Sequence, residues 1–329
     1  MKALSLFSGG LDSQLAVCLI LDQDIEVIAL NFSTPFFGAD PAIAKAAHKL
    51  NIELQTITLG AEYMELLRRP AYGFGKHMNP CIDCHGLMLR RALSMLPELK
   101  SSFVISGEVL GQRPMSQNKQ SLQSVLRLAG EDADLVLRPL SAKLLPITKP
   151  EREGWVDRDR LLDINGRSRK VQMELAEHYQ IEEYPTPAGG CLLTQENFSR
   201  RLQRYLLEHP EADLDELQVL KFGRHFYMED GSLLIVGRHQ TDNQSLNHYA
   251  ADHDLQLKVA ERPGPLAILR SIGRPNETVI KSAAAIVARY SDAKDLALAG
   301  VRLNYRGNLH RDEVIQVRPL ALEEMPLTY

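Results

Sequence analysis

Short apolar runs alternate with amphipathic stretches through the first 110 residues. The apolar runs are typical of buried strands, and they cover residues 3–7, 26–32, 53–59 and 102–107. Between them lie patterns with helical spacing, at residues 14–21, 41–50 and 86–96. Strands that alternate with helices predict an α/β fold with a doubly wound, mostly parallel sheet.

The pattern changes from about residue 220. Two apolar runs bracket the turn Glu229-Asp230-Gly231, which predicts a hairpin, and residues 277–290 have helical spacing. Residues 301–303 and 314–317 are expected to close a second sheet. We therefore predict a first domain over 1–205, a helical linker over 206–219 and a smaller α+β domain over 220–329.

Composition and charge are those of an ordinary globular protein. Hydrophobic residues make up 44% and charged residues 24% of the 329, and the net charge is −4. This balance excludes a generally basic nucleic-acid coat protein but leaves room for a local basic groove. The sequence has no apolar run long enough to span a bilayer, and a strand at its very start predicts no signal peptide. Four cysteines do not make a disulfide scaffold, so we expect a cytoplasmic protein.

A glycine-rich turn joins the first predicted strand to the first predicted helix. Its candidate binding residues are Ser8, Gly9, Gly10, Asp12 and Ser13. Glycines bring backbone N–H groups close to an anion, and the start of a helix favours a phosphate. Asp12 beside phosphates is a candidate ligand for Mg²⁺. The turn lacks the Gly-Lys-Ser/Thr ending of the Walker loop.

This Ser-Gly-Gly-x-Asp-Ser turn after an N-terminal strand resembles the PP-loop of the ATP pyrophosphatases, which cleave ATP to AMP and pyrophosphate. The resemblance implies an ATP site with Asn31 and Phe32, at the end of the second strand, beside the adenine. A plain strand end is the alternative for either residue. Gly107, which ends the fourth predicted strand, and Gln112 are expected to form a second wall of the nucleotide crevice.

Three cysteines are candidates for sulfur or metal chemistry. Cys81 and Cys84 form a C-x-x-C pair just ahead of the helix predicted at residue 86, where a metal centre or a thiolate is favoured. The pair alone leaves open a redox pair, half a zinc site or part of an iron–sulfur site. Cys191 ends a turn-rich loop over 184–191, whereas Cys18 lies on an apolar helix and is interpreted as a core residue. His77 and His85 are interpreted as exposed histidines, and a metal-ligand role is the alternative for each.

A further set of motifs lies after the fourth predicted strand. It consists of Ser-Gly-Glu-x-x-Gly-Gln at 106–112, Ser-Gln at 116–117 and Leu-Arg-Pro-Leu around Arg138. In this order and spacing, the set resembles the 4-thiouridine synthases that modify tRNA. That resemblance brings Cys191 towards Cys81 and Cys84. It implies adenylation of a uridine carbonyl by ATP, followed by attack of sulfur and loss of AMP.

The resemblance leaves two ways for the cysteines to handle sulfur. In the first, Cys81, Cys84 and Cys191 bind a [4Fe–4S] cluster, with one iron open to hold a sulfide. In the second, one cysteine carries a persulfide and another resolves the disulfide. Because no RNA-binding region precedes the loop and no cysteine follows Cys191, we favour the cluster. The sulfur donor, either sulfide or a cysteine desulfurase, is left open.

The C-terminal third resembles the NFACT-R RNA-binding domain. The resemblance rests on Val236-Gly237-Arg238 with Asn243, on Pro263-Gly264-Pro265 and on residues 283–294. It implies that this domain docks tRNA. Candidate RNA contacts are the basic residues Arg167, Arg169, Lys170, Arg224 and Arg238, and solvated surface is the alternative for the first three. A homodimer, with one subunit presenting its C-terminal domain to tRNA on the other, stays open.

The predicted function is thus ATP-dependent thiolation of tRNA uridine, with 4-thiouridine as the favoured product. Synthesis of 2-thiouridine, or another PP-loop RNA-modifying or amide-forming ligase, is an enzymatic alternative. An RNA-binding quality-control factor with an inactive ATPase domain is the non-enzymatic alternative.

Overall fold

The computed structural model describes residues 1–185, 190–271, 273–305 and 313–329. The chain forms two compact units, Met1–Gln195 and Glu196–Tyr329. The first domain is predicted to end at residue 205, which lies inside a helix of the second unit. The boundaries of the two functional domains and of the linker stay a prediction. Residues 186–189 of the predicted turn-rich loop lie outside the described residues.

Within the described part of the first unit, five strands form one parallel sheet. The strands are β1 (Lys2–Leu6), β2 (Glu26–Ser33), β3 (Glu53–Thr58), β4 (Phe103–Ser106) and β5 (Val136–Leu137). Their order is β3-β2-β1-β4-β5, so β1 lies in the centre and pairs with both β2 and β4. This arrangement confirms the predicted α/β class.

Helices connect these strands. They are α1 (Leu11–Leu21), α2 (Pro41–Lys49), α3 (Ala61–Arg68), α4 (Cys81–Met95), α5 (Lys119–Ala129), α6 (Lys149–Arg152) and α7 (Lys170–His178). Helix α1 is buried along almost its whole length, as its apolar sequence predicts. Sequence patterning missed α3 and α5, because α3 is only two turns long and α5 is largely polar.

The chain adds strands first on one side of β1 and then on the other, and this switch determines where a ligand can bind. From β1 the chain moves to β2 and β3 on one side, and it returns to β4 and β5 on the other. In such sheets ligands bind where the carboxyl ends of the two diverging strands meet. Here those ends are the turn after Leu6 and the turn after Ser106.

The second unit is built on a separate antiparallel sheet. Its strands are β6 (Arg224–Tyr227), β7 (Leu233–Val236), β8 (Leu255–Val259), β9 (Ala267–Arg270), β10 (Ala299–Tyr305) and β11 (Glu313–Val317), in the order β11-β10-β8-β9-β7-β6. Strands β6 and β7 form the predicted hairpin, and β10 and β11 confirm the predicted closing strands. Inside this unit Arg270, which is 1% exposed, donates two hydrogen bonds to Asp254, at 2.9 and 2.7 Å.

Helices α8 (Glu196–Glu208), α9 (Gln240–Tyr249) and α10 (Glu277–Arg289) complete the second unit. The sequence predicts a helical linker over 206–219, but a short 3₁₀ helix covers only its end, at Glu216–Lys221, and α8 ends at Glu208. The reason is Pro210, which disfavours helical backbone in the residue before it. Among the helices formed by the described residues, none combines the length and the apolarity needed to cross a membrane.

Candidate functional site

The turn from β1 into α1 has the geometry of an anion-binding loop. Gly9 adopts φ +70°, and Gly10 is the N-cap of α1 with extended backbone. No side chain caps this helix start, so its N–H groups are left for a ligand. The Ser13 hydroxyl donates to the Gly10 carbonyl at 2.8 Å and lies 3.4 Å from the Ser8 hydroxyl.

Gly107, directly after β4, packs against the start of α1. A Cβ atom on Gly107 would lie 2.6 Å from the carbonyl carbon of Asp12 and from the backbone nitrogen of Ser13. Only glycine allows this approach. The structure therefore brings the two predicted walls of the crevice into direct contact.

Asp12 and Gln112 meet in this crevice. Gln112 Nε2 donates to Asp12 Oδ2 at 2.8 Å. The other oxygens, Asp12 Oδ1 and Gln112 Oε1, are buried and have no hydrogen-bond partner among the described residues. Because an unpaired buried oxygen is costly, both oxygens suit a ligand, and a carboxylate oxygen beside phosphates fits Mg²⁺.

Asn31 and Phe32, the predicted neighbours of adenine, are both buried in β2. Asn31 Nδ2 donates to the Gly38 carbonyl at 2.8 Å, so this amide holds the loop that follows the strand. Contact of either residue with adenine stays a prediction.

Helix α4 begins at Cys81, five residues before the predicted start at 86. Pro80 occupies the N-cap position, and helical backbone begins directly after it. Cys81 and Cys84 therefore lie in the first turn of the helix rather than ahead of it. Cys84 is buried, whereas Cys81 and Cys191 are partly exposed.

The three thiols lie close enough to act on one another electrostatically. Burial raises the pKa of Cys84, and Cys191 and Cys81 raise it further. Burial and the neighbouring Cys81 raise the pKa of Cys191 to about 11, although Arg113 opposes this rise. These mutual effects indicate that Cys81, Cys84 and Cys191 share one region of the first unit, and their role as one sulfur site stays a prediction. Cys18, in contrast, belongs to the core, as predicted.

Polar side chains contact two of the thiols. The hydroxyl of Tyr63, a fully buried residue of α3, donates to the Cys84 sulfur. Asn79 Nδ2 donates to Cys81 Sγ at 3.3 Å. Across residues 1–185, 190–271, 273–305 and 313–329, no three His, Cys, Asp or Glu side chains are arranged to hold a metal ion. A [4Fe–4S] cluster differs from a single ion because each of its irons takes its own thiolate, and Cys81, Cys84 and Cys191 are the thiols that would supply them.

His85 connects the cysteine helix to the nucleotide crevice. Its Nδ1 lies 2.8 Å from Glu108 Oε1, so His85 is not the exposed residue expected from the sequence. Arg138 Nε donates to Glu108 Oε2 at 2.9 Å, which makes Arg138 a salt-bridge partner. Burial alone would raise the pKa of Glu108, but Arg138 and His85 outweigh burial and hold this pKa well below its usual range. Glu108 follows Gly107, the residue that packs on Asp12.

A second connection runs through the loop after β4. Gln112 contacts Asp12, and the next residue, Arg113, lies close enough to Cys191 to lower the pKa of its thiol against the effect of burial. Within the first unit, the His85–Glu108 contact and the electrostatic effect of Arg113 on Cys191 thus connect the cysteine region to the crevice that holds Asp12.

The basic residues predicted to bind RNA have different surroundings. The segment that carries Arg167, Arg169 and Lys170 is tied to the crevice, because Gly166 N donates to the Leu110 carbonyl at 2.8 Å. Arg169 lies over the Tyr184 ring at 5.8 Å, and Lys170 is exposed.

In the second unit, both predicted RNA contacts have partners. Arg224 lies over the Tyr290 ring at 4.7 Å, and Arg238 Nε donates to Asp242 at 2.8 Å. Their contact with RNA stays a prediction.

Sequence reasoning missed Tyr63 and Arg113 altogether and gave Glu108 no role of its own. Tyr63 carries no local signal, because only the packing of α3 against α4 brings it to Cys84. Glu108 directly follows Gly107, and Arg113 directly follows Gln112. Their place next to these predicted site residues was the signal by which they could have been found.

Family models match two separate parts of the chain. Residues 1–143 match the family model described as Thiamine biosynthesis protein (ThiI). Residues 223–329 match the model described as NFACT protein RNA binding domain. The "Probable tRNA sulfurtransferase" of Ureaplasma urealyticum is 30% identical over 144 residues, which are 42% of this chain and 36% of that protein. The match thus spans about a third of that relative's length.

Solved structures give weaker likenesses. A 4-thiouridine synthetase in complex with RNA and bound ATP is 19% identical, with a TM-score of 0.38, and the alignment covers 67% of this chain and 52% of that one. The C-terminal part of a fibronectin/fibrinogen-binding protein from Streptococcus suis is 14% identical, with a TM-score of 0.30, over 81% and 94% of the two chains. By these family models, residues 1–143 are similar to the ThiI family and residues 223–329 are similar to NFACT RNA-binding domains.

Proposed function

We propose that this protein is an ATP-dependent tRNA sulfurtransferase that adenylates a uridine carbonyl and then replaces its oxygen with sulfur. The observation that carries the proposal is the path of contacts between Asp12 and the helix α4, which carries Cys81 and Cys84. It runs through Gly107, Glu108 and His85. The electrostatic effect of Arg113, next to Gln112, on Cys191 supports the same arrangement. An ATP-activating site and a sulfur site belong side by side only in an enzyme that uses both.

The first half-reaction activates the base. A carbonyl oxygen is a poor leaving group, so the uridine oxygen attacks the α-phosphorus of ATP, pyrophosphate leaves and the N3 proton is lost. Asp12 Oδ1 is the buried oxygen available to hold Mg²⁺ on the departing pyrophosphate. The uncapped start of α1 stabilises negative charge there.

The second half-reaction exchanges oxygen for sulfur. Hydrosulfide attacks the activated carbon, and AMP departs with the former carbonyl oxygen. Uridine, ATP and hydrosulfide thus give thiouridine, AMP and pyrophosphate.

Cys81, Cys84 and Cys191 are the residues that would hold a [4Fe–4S] cluster. Such a cluster, when bound, supplies an open iron site for the sulfide. Tyr63 and Asn79 orient the Cys84 and Cys81 sulfurs by hydrogen bonding. The persulfide alternative uses two of the cysteines and needs a reductant to restore them.

We further propose C4 as the position of thiolation, with C2 as the alternative product. In this account the region over 223–329 docks the tRNA, in keeping with the family model that it matches. Arg224 and Arg238 are then RNA contacts, and Arg167, Arg169 and Lys170 guide the substrate towards the crevice. The partners are tRNA and a donor of sulfide, such as a cysteine desulfurase, and the site of action is the cytoplasm.

Reaction of the purified chain with ATP, sulfide and unmodified tRNA tests this function. We expect pyrophosphate release that requires tRNA, and a thiolated uridine in the nuclease digest by mass spectrometry. Retention time separates 4-thiouridine from 2-thiouridine. Pyrophosphate release with ammonia or an amine incorporated instead of sulfur would indicate the amide-forming alternative. Tight tRNA binding without any pyrophosphate release would indicate the quality-control factor.

A further inference from the structure

The loop before the cysteine helix presents two aromatic side chains to solvent. In this aromatic loop, residues 70–80, Tyr72 is 42% exposed and Phe74 is 41% exposed. Removing a large aromatic ring from water is energetically favourable. Two exposed rings so near one another in one short loop therefore indicate a surface that a ligand covers.

The N-terminal end of the aromatic loop is fixed by Asp83. This carboxylate is only 5% exposed, and it accepts hydrogen bonds from the backbone N–H groups of Ala71 at 2.7 Å and Tyr72 at 3.1 Å. Asp83 lies between Cys81 and Cys84 in the first turn of α4. The turn that carries two thiols therefore also sets the position of Tyr72.

The C-terminal end of the loop is fixed by Asn79. Its carbonyl accepts from Gly75 N at 2.9 Å, and its Oδ1 accepts from His77 N at 3.1 Å. Its Nδ2 donates to Cys81 Sγ at 3.3 Å. Both ends of the loop are thus hydrogen-bonded to the cysteine turn or to its neighbours, so the backbone that carries the two rings is fixed next to the start of α4.

The charge of this segment favours a nucleic acid over a protein as the ligand. The aromatic loop contains Lys76 and no Asp or Glu, and Arg68 and Arg69 directly precede it. Cations that contact phosphates, interleaved with rings that stack on bases, are the usual combination for binding single-stranded RNA.

We propose that Tyr72 and Phe74 form a stacking platform that holds the reacting nucleotide of the RNA out of its own base stack, beside Cys81. A base whose carbonyl must reach both ATP and sulfur cannot stay paired and stacked, and aromatic faces compensate for the stacking that it loses. The proposal deepens the proposed function, on which it rests for the identity of the RNA as tRNA.

Photo-crosslinking tests the platform without any need for turnover. The full-length chain is irradiated with a tRNA transcript that carries 5-iodouridine in place of uridine, and the crosslinked peptides are mapped by mass spectrometry. We expect crosslinks at Tyr72 or Phe74. Crosslinks confined to other parts of the chain, or no crosslink at all, would overturn the proposal.

Kinetics provide the second test. We expect Tyr72→Ala and Phe74→Ala each to lower kcat/KM for tRNA in the pyrophosphate-release assay by about tenfold, the size of one lost base–ring stack. Tyr72→Phe and Phe74→Tyr keep a ring and should keep the rate. Ile147→Ala, which alters an exposed side chain elsewhere in the first unit, is the matched control. Alanine variants with the wild-type kcat/KM would overturn the proposal.

Two other outcomes separate the proposals from one another. If the alanine variants lose activity only when a protein supplies the sulfur, and not with free sulfide, the loop docks the donor protein and the platform is overturned. If the wild-type chain releases no pyrophosphate with tRNA, the proposed function fails, whereas the crosslinking result still decides whether the loop stacks on RNA.

Discussion

Gln112 Nε2 donates a 2.8 Å hydrogen bond to Asp12 Oδ2, although the two residues are one hundred positions apart in the sequence. The contact joins the turn after β1 to the loop after β4 at the point where the strand order reverses. It fixes one carboxylate oxygen of Asp12 and leaves the other buried and without a partner among the described residues. The Asp12 carboxylate is therefore oriented before a ligand arrives.

Asp12→Asn should abolish most of the tRNA-dependent release of pyrophosphate. The amide keeps an oxygen to accept from Gln112 but loses the charge that holds Mg²⁺, so we expect a fall in kcat of about 100-fold or more with little change in stability. Asp132→Asn, at an exposed position, is the control. A wild-type rate for Asp12→Asn would show that Asp12 holds no catalytic metal.

Gly107→Ala should damage the nucleotide crevice through a steric clash. The new Cβ would lie 2.6 Å from backbone atoms of Asp12 and Ser13, so the start of α1 must move. We expect a loss of about 1–3 kcal/mol in the free energy of unfolding, measured with urea, and weaker ATP binding by calorimetry. Unchanged stability and ATP binding in Gly107→Ala would contradict the contact.

Protein purified without oxygen should be brown and contain about four irons per chain, as one [4Fe–4S] cluster requires. Replacing Cys81, Cys84 or Cys191 with Ala should bleach it, because each thiolate would bind a different iron. Cys18→Ala removes a core thiol outside this group and should keep the iron. The readouts are iron analysis and the absorption spectrum. A colourless, iron-free chain that still thiolates tRNA would favour the persulfide route.

The second unit should lose stability as the pH falls below 6.5. Burial, aided by Arg201, lowers the pKa of His225 to about 3 from 6.5, and its Nε2 lies 2.8 Å from the Phe222 carbonyl. Above pH 6.5 the folded and unfolded states both hold a neutral imidazole, and the contribution of His225 is fully present. Between pH 6.5 and about 3 only the unfolded state takes up the proton, so the free energy of unfolding falls by up to about 1.4 kcal/mol per pH unit.

Hydrogen exchange of the β6 and β7 amides, measured as a function of pH, checks this expectation. His225→Gln keeps a donor for the Phe222 carbonyl but cannot titrate, so its pH dependence over this range should be shallower than that of the wild type. Equal slopes for the two proteins would mean that another group dominates the acid sensitivity of the second unit.

The parts of the fold that depend on local pattern were predictable from the sequence. The central strands are short apolar runs with clear ends, and the Glu229-Asp230-Gly231 turn identifies its hairpin without tertiary information. The glycine-rich turn was predictable for the same reason, because its chemistry lies within six consecutive residues.

Features set by tertiary packing were not predictable. The start of α4 at Cys81, the hydrogen bond from Tyr63 to Cys84 and the approach of His85 to Glu108 each depend on elements that are distant in sequence. The resemblance supplied the grouping of Cys81, Cys84 and Cys191, which spacing alone left open.

The most direct test of the central claim is a mass-spectrometric profile of thiolated nucleosides in bulk tRNA from cells with and without this gene. The account predicts that one thiouridine disappears in the deletion strain, returns with the wild-type gene and does not return with Asp12→Asn. A profile that the deletion leaves unchanged would contradict the proposed role in tRNA thiolation.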